Sequence, residues 1–199
     1  MTKKILHIGI LAFHGDVQEH SETVEQAAKK LKIKVAVSQV RTKADLQGLD
    51  GLILPGGESP TLQKLCQREN MWEEMKKVPN IFGTCAGAIL LAKTIGNTSE
   101  GQETLELMDI QIDRNAYGRQ TESFEETIKT ELGTVPAVFI RAPKIKSVGK
   151  NIRVLSEKEG DIVACEEKTG NTFYLATCFH PELTTTIFHE YFLKQISVS

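Results

Sequence analysis

Gly83-Thr84-Cys85-Ala86-Gly87 places a thiol between two glycines in the pattern G-x-Cys-x-G. On a sharp turn from strand into helix, this pattern holds a nucleophile on a strained backbone, and the flanking glycines let the chain fold back on itself. The turn sets the sulfur at the N-terminus of the next helix, where free N–H groups and the helix dipole favour thiolate over thiol. The N–H of Ala86 is then placed to donate to an oxyanion. The same residues also suit a small buried thiol leading into a core helix, because cysteine is among the most buried residue types. The local pattern leaves both readings open.

A thiolate nucleophile needs a base, and the base needs a group that orients it. The chain has five histidines to choose from. His7 falls in an apolar run and reads as a packed strand residue. His20 and His189 fall on helical patterns and read as surface or half-buried. His14 follows the first strand and could line a site there. His180, in Cys178-Phe179-His180-Pro181-Glu182, has the strongest claim. Pro181 forces extended geometry on the residue before it, and in extended chain residues two apart share a face. Glu182 can then reach the imidazole and fix its tautomer, as the acidic member of a triad does. A strand-end histidine before a proline turn is the plain alternative; Glu182 and the G-x-Cys-x-G turn together favour catalysis.

Leu54-Pro55-Gly56-Gly57-Glu58-Ser59 is the third chemical element. It ends an apolar run, and open α/β sheets bind ligands outside the carboxyl ends of their strands. Gly56 and Gly57 permit a backbone that aims N–H groups at a carbonyl oxygen. Ser59 reads as a helix cap with Pro60 at the first helical position.

These pieces need a frame. Ile5–Phe13 is a continuous apolar run of the kind buried in a parallel sheet. Val17–Leu31 repeats apolar residues at helical spacing. Ile33–Val40, Leu49–Gly57 and Asn80–Thr84 read as further strands, and Met71–Val78 and Ala86–Thr94 as helices. This order predicts an α/β fold: a mainly parallel open sheet with helices on both faces. After about Asn97 the pattern changes. Thr104–Arg114, Ala137–Ile145 and Asp161–Phe179 predict added antiparallel strands, with a hairpin turn at Lys168-Thr169-Gly170-Asn171 and a closing helix over Thr184–Ile196. No repeat, low-complexity tract or linker intervenes, so residues 1–199 read as a single domain.

The bulk composition narrows the partners. A net charge of −2 without a block of like charges points to neither nucleic acid nor an anionic membrane. The longest apolar stretches are too short to span a bilayer. The basic, then apolar, N-terminus lacks a small-residue cleavage site before His14-Gly15-Asp16. Cys66, Cys85, Cys165 and Cys178 show no CxxC spacing and no zinc-ligand pattern, so no metal is expected. The compartment reads as cytoplasmic with reduced thiols, and Cys66, Cys165 and Cys178 as fillers.

G-x-Cys-x-G followed far downstream by His-Pro-Glu resembles the class I, triad-type glutamine amidotransferases. Within them the chain is similar to the glutaminase subunits of pyridoxal 5'-phosphate synthase. The similarity runs nearly the full length, through Gly9–His20, Leu54–Ser59, Gly83–Ala92, Arg114–Gln120, Phe139–Pro143 and Phe179–Thr184. Many other class I glutaminases have a glutamine three residues after the nucleophile; Ala88 stands there. The first motif usually reads Leu-Gln-Gly; here it is Phe13-His14-Gly15, near where the family meets its synthase.

The resemblance implies a flavodoxin-like three-layer sandwich. It implies Cys85 as nucleophile, His180 and Glu182 completing the triad, and Gly57 and Ala86 as oxyanion donors. It implies that Gly57, Glu58, Ser59, Arg114, Ile140 and Arg141 contact L-glutamine; guanidinium suits the carboxylate of such a substrate. It implies a (β/α)8-barrel synthase subunit as partner, which takes the ammonia into pyridoxal 5'-phosphate, and no cofactor. Two rivals remain. Peptidases and glyoxalase-like proteins of the same superfamily often carry the base histidine directly after the nucleophile, where this chain has Ala86. A non-catalytic module would not need Cys85, His180 and Glu182 together.

Overall fold

The computed structural model describes residues 5–96, 101–114 and 123–197. The first half runs β1 (Ile5–Leu11), α1 (Val17–Leu31), β2 (Lys34–Val40), β3 (Gly51–Leu54), α2 (Ser59–Arg68), α3 (Trp72–Met75), β4 (Asn80–Thr84) and α4 (Ala86–Leu91). The second half runs β5 (Ala92–Gly96), β6 (Met108–Asp113), β7 (Ser123–Thr130), β8 (Gly133–Ile140), β9 (Lys144–Val148), β10 (Ile152–Lys158), β11 (Asp161–Thr169), β12 (Thr172–Thr177) and α5 (Ile187–Ser197). One ten-stranded sheet has the order β2-β1-β3-β4-β12-β11-β9-β6-β5, with β10 on β11. β2-β1, β1-β3, β3-β4, β4-β12 and β6-β5 pair in parallel; β12-β11, β11-β9, β9-β6 and β10-β11 are antiparallel. β7 and β8 form a separate two-stranded ribbon.

Burial explains the central strands. Every residue of β3 and β4 is buried, as a parallel strand covered on both faces requires. α1 turns His20, Thr23, Val24, Ala27 and Ala28 inward and its charges outward. It ends where Lys32, in the left-handed region, returns its N–H to the carbonyls of Ala28 and Lys29. The crossover β1-α1-β2 steps one way across the sheet and β3-α2-β4 the other, so right-handed crossovers put α1 and α2 on opposite faces. α1 packs on α5, and α2 on α3 and α4.

The differences from expectation have local causes. The helix expected over Ala86–Thr94 stops at Leu91, and Ala92–Gly96 turns into β5, parallel to β6. The strand expected from Thr104 starts at Met108, because Leu105 and Leu107 donate their N–H groups to the last carbonyls of α4, at Leu90 and Leu91. The helix expected over Met71–Val78 is one turn, Trp72–Met75. The strand expected over Ala137–Ile145 breaks at Arg141, whose φ is 42°. Ser59 does not cap α2: Glu58 takes the cap position and Ser59 is the first helical residue. His20 and His189 are fully buried, and His7 is exposed.

Candidate functional site

β4 ends directly in Cys85, whose φ of 50° and ψ of −105° lie where few side chains are tolerated. The surroundings hold it there. Its N–H donates to the carbonyl of Thr177 on β12 at 2.8 Å, and its thiol points at the carbonyl of Ile140, 3.8 Å away. A Cβ on Gly83 would press on the backbone of Gly87, and one on Gly87 would overlap the carbonyl of Leu54 at the end of β3. Only glycine fits at either position, so the turn is closed by contact between bare backbones. Ala86 is buried behind Cys85 as the first residue of α4. The other thiols take no part: Cys66, Cys165 and Cys178 are fully buried, and burial pushes their pKa values up, that of Cys66 to about 12.

His180 arrives from the far end of the chain. β12 lies beside β4 with Thr177 opposite Thr84, so the residues just past Thr177 land next to Cys85. The imidazole lies against Gly56, where a Cβ would collide with it. Its Nδ1 is 2.8 Å from Oε1 of Glu182 and 3.0 Å from Oδ2 of Asp16. Its Nε2 is buried with no hydrogen-bond partner among the described residues. Burial disfavours the imidazolium, but Asp16, Cys85 and Glu182 outweigh it and hold the His180 pKa above the ordinary histidine value. Burial likewise disfavours an ionised Glu182, and His20 and His180 outweigh it and keep the carboxylate below the usual range.

Asp16 escaped the sequence reading. Removing its charge by Asp16→Asn is expected to lower the His180 pKa by about 1–3 units, read from the imidazole resonances in an NMR titration. A raised pKa stabilises the fold fully below about 6.5 and loses that share as pH climbs through the folded value. The decline in Tm above about pH 6.5 should therefore be smaller in the variant and level off at lower pH. An unmoved titration would mean that Asp16 does not engage the ring.

A pocket of about 310 Å³ opens over this pair. Gly57, Glu58 and Ser59 line it from the end of β3, Ile140 and Arg141 from the end of β8, and Arg114 from the end of β6; Gly15, Asp16 and Ile89 complete it with Cys85 and His180. All the expected contact residues therefore come together. Ala86 and Glu182 stand behind the lining. Residues 115–120 of the Arg114–Gln120 motif lie outside the described residues. Gly57 has a φ of 129°, which glycine alone adopts freely, and His14 packs against it. Arg114 donates to Gln102 at 2.6 Å, and Gln102 donates to Oγ of Ser59 at 2.9 Å. Arg141 pairs with Glu58 at 3.4 Å in an exposed contact. Asp16, His180 and Glu182 bring donor atoms within 4.8 Å of one another, but Nδ1 of His180 already engages both carboxylates, and we assign no metal there.

The pocket sits where such a sheet binds ligands: at the carboxyl ends of β1 and β3, where the strand order reverses. Gly15, His14 and Asp16 follow β1 directly, which is the signal that would have marked Asp16.

Comparison with known proteins gives this geometry its kinship. The chain is 43% identical to "Pyridoxal 5'-phosphate synthase subunit PdxT" of Korarchaeum cryptofilum, over 96% of this chain and 98% of the relative. It is 44% identical to the protein of the same name in Desulforamulus reducens, over 95% and 98%. A solved structure described as a glutamine amidotransferase superposes with a TM-score of 0.82 at 42% identity, covering 95% of this chain and 98% of that one. The sequence profile described as "SNO glutamine amidotransferase family" matches residues 10–198, which takes in the Cys85 turn, the Gly57 loop and the His180 segment alike. With nearly its whole length matched, the chain belongs to the SNO glutamine amidotransferase family.

Proposed function

We propose that the protein is the glutaminase subunit of a pyridoxal 5'-phosphate synthase: it hydrolyses L-glutamine and passes the ammonia to a synthase partner. One observation carries the reading. Cys85, on a positive-φ turn, faces a buried His180 that is hydrogen-bonded to Glu182, at the floor of a pocket of amino-acid size. The relatives named as synthase subunits supply the destination of the ammonia. The partner we assign is the (β/α)8-barrel subunit, and the setting is the cytoplasm. The chain works as one domain around one continuous core.

In the proposed cycle the proton of the Cys85 thiol rests on His180, as the raised His180 pKa favours, and the thiolate attacks the side-chain amide carbon of glutamine. The oxyanion rests on the N–H groups of Gly57 and Ala86; losing one such donor costs about 10²–10³ in rate. His180 protonates the departing nitrogen and ammonia leaves. Water, deprotonated by His180, then attacks the γ-glutamyl thioester, and glutamate departs as the thiol is restored. Arg114 and Arg141 offer guanidinium groups to the substrate carboxylate. Arg114 is steadied through Gln102, and Arg141 exchanges its exposed contact with Glu58 for the ligand.

The test is covalent trapping. A glutamine analogue with an alkylating side chain, added to the protein together with its synthase, is expected to add its mass to Cys85 alone by peptide mass spectrometry. The three other cysteines are fully buried and serve as internal controls. No label on Cys85 would favour a module that keeps the fold without the reaction.

A further inference from the structure

Two histidines behind Glu182 are unused by this mechanism. His20 on α1 and His189 on α5 are both fully buried, which is costly for imidazoles unless they are paired. They pair with each other: Nδ1 of His20 lies 2.9 Å from Nε2 of His189. The other nitrogen of His20, Nε2, lies 3.2 Å from Oγ1 of Thr84 and 3.4 Å from Oε1 of Glu182. Thr84 immediately precedes the nucleophile, and Oε1 is the oxygen that engages His180. His20 thus touches both ends of the catalytic arrangement without lining the pocket.

Proton counting gives the contacts a direction. Burial, and next the neighbouring His20, hold the His189 pKa down to about 3, so His189 is neutral. Nε2 of His20 faces a carboxylate, which only accepts, so Nε2 carries a proton. In a neutral His20 the Nδ1 is then bare, and the short contact is closed by the Nε2–H of His189 donating to it. The Nδ1 of His189 has no hydrogen-bond partner among the described residues; in this arrangement it is a bare lone pair, not a stranded N–H.

We propose that His20 and His189 are positioning residues of the glutaminase: His189 fixes the tautomer of His20, and His20 holds the Glu182 carboxylate and Thr84 in place for His180 and Cys85. The groups facing His20 are His189 from α5, Thr84 and the edge of the Phe82 ring from β4, and Glu182 from the Pro181–Leu183 turn. Glu182 itself faces Nδ1 of His180, and Asp16 reaches the same nitrogen. Lys30 and Glu190, on the outer parts of α1 and α5, pair with each other.

The inference rests on the glutaminase reading, so its test has one readout that needs no substrate. In the full chain, the Glu182 carboxyl carbon is followed by NMR against pH. In the parent it stays ionised as far down in pH as the chain stays folded. In His20→Leu it is expected to titrate within the folded range, about 1–2 units higher, because a buried carboxylate has lost a donor. His189→Leu should shift it in the same direction by less, and His20→Gln, which keeps an N–H, should recover part of the shift. In complex with the synthase, the acid limb of kcat for glutamine hydrolysis should move the same way. kcat should fall roughly 10–100-fold with KM little changed, as for groups that orient a catalytic ligand. Unmoved Glu182 titration and acid limb in folded His20→Leu and His189→Leu would overturn the proposal. If His20→Leu fails to fold, His189→Leu and His20→Gln decide by the same two readouts. A shifted titration in a protein that releases no ammonia would sink the glutaminase reading and leave the coupling standing.

Discussion

Cys85→Ala, assembled with the synthase partner, is expected to lose glutamine-driven product formation by about 10⁴-fold or more, as when a covalent nucleophile is removed. Product formed from added ammonium salt should continue at the parent rate. The split matters because the two nitrogen sources share every step except the one at Cys85. A fall in both would report damage to the complex, not to the chemistry. The substitution is small and sits where the residue is 6% exposed, so the fold should survive it. Relief of the strained φ of 50° is not available to alanine either, and the turn should stay closed. Glutamine that still drives synthesis at a comparable rate would rule Cys85 out as the nucleophile.

Gly87→Ala should produce the other large effect, by a different route. The added methyl would occupy the space of the Leu54 carbonyl, which is backbone in the middle of the sheet and cannot swing aside. Either α4 lifts from β3 or the turn opens. Overpacking of this kind costs about 3 kcal/mol or more, which for a chain of this size lowers Tm by about 6–12 °C. The thiol moves with α4, and a displacement of about 1 Å is enough to cost some 10²-fold in rate. Gly160→Ala is the matched control. Gly160 has a φ of 84° and nothing within 4 Å of an added Cβ, so it pays only the left-handed strain, about 1–2 kcal/mol. Thermal melts and glutamine assays of the two variants check this. Equal Tm values would mean that the Gly87 contact is not what closes the turn.

What the sequence makes legible follows from the range of the forces involved. α1 and β4 fall where their patterns put them, Val17–Leu31 and Asn80–Thr84, because an amphipathic stripe and a continuous apolar run are local signals. The turn after β4 is legible for the same reason: the two glycines and the thiol are neighbours in sequence. β5 is not, because Leu90-Leu91-Ala92-Lys93 favours helix, and its pairing with β6 is a tertiary contact. His20 and His189 read as helix-surface residues since nothing near either one announces that the two helices meet there. Asp16 sits at the start of α1, where an acidic residue is ordinary helix chemistry; its contact with His180 joins opposite ends of the chain. The Cys85–His180 pairing also joins distant segments, but each partner carries a local signal, the G-x-Cys-x-G turn and the His-Pro-Glu segment, and the family resemblance strengthened what those signals favoured.

The order of strands has a consequence for how the protein is made. β12 enters the sheet between β4 and β11 and leaves the ribosome after every other described strand of that sheet. Until it inserts, Cys85 lacks the Thr177 carbonyl that anchors its N–H, and His180 is still being synthesised or has no seat. A chain cut short before β12 therefore carries Cys85 but not His180. On the proposed mechanism a copy still lacking β12 is inactive, because the sheet closes its centre last.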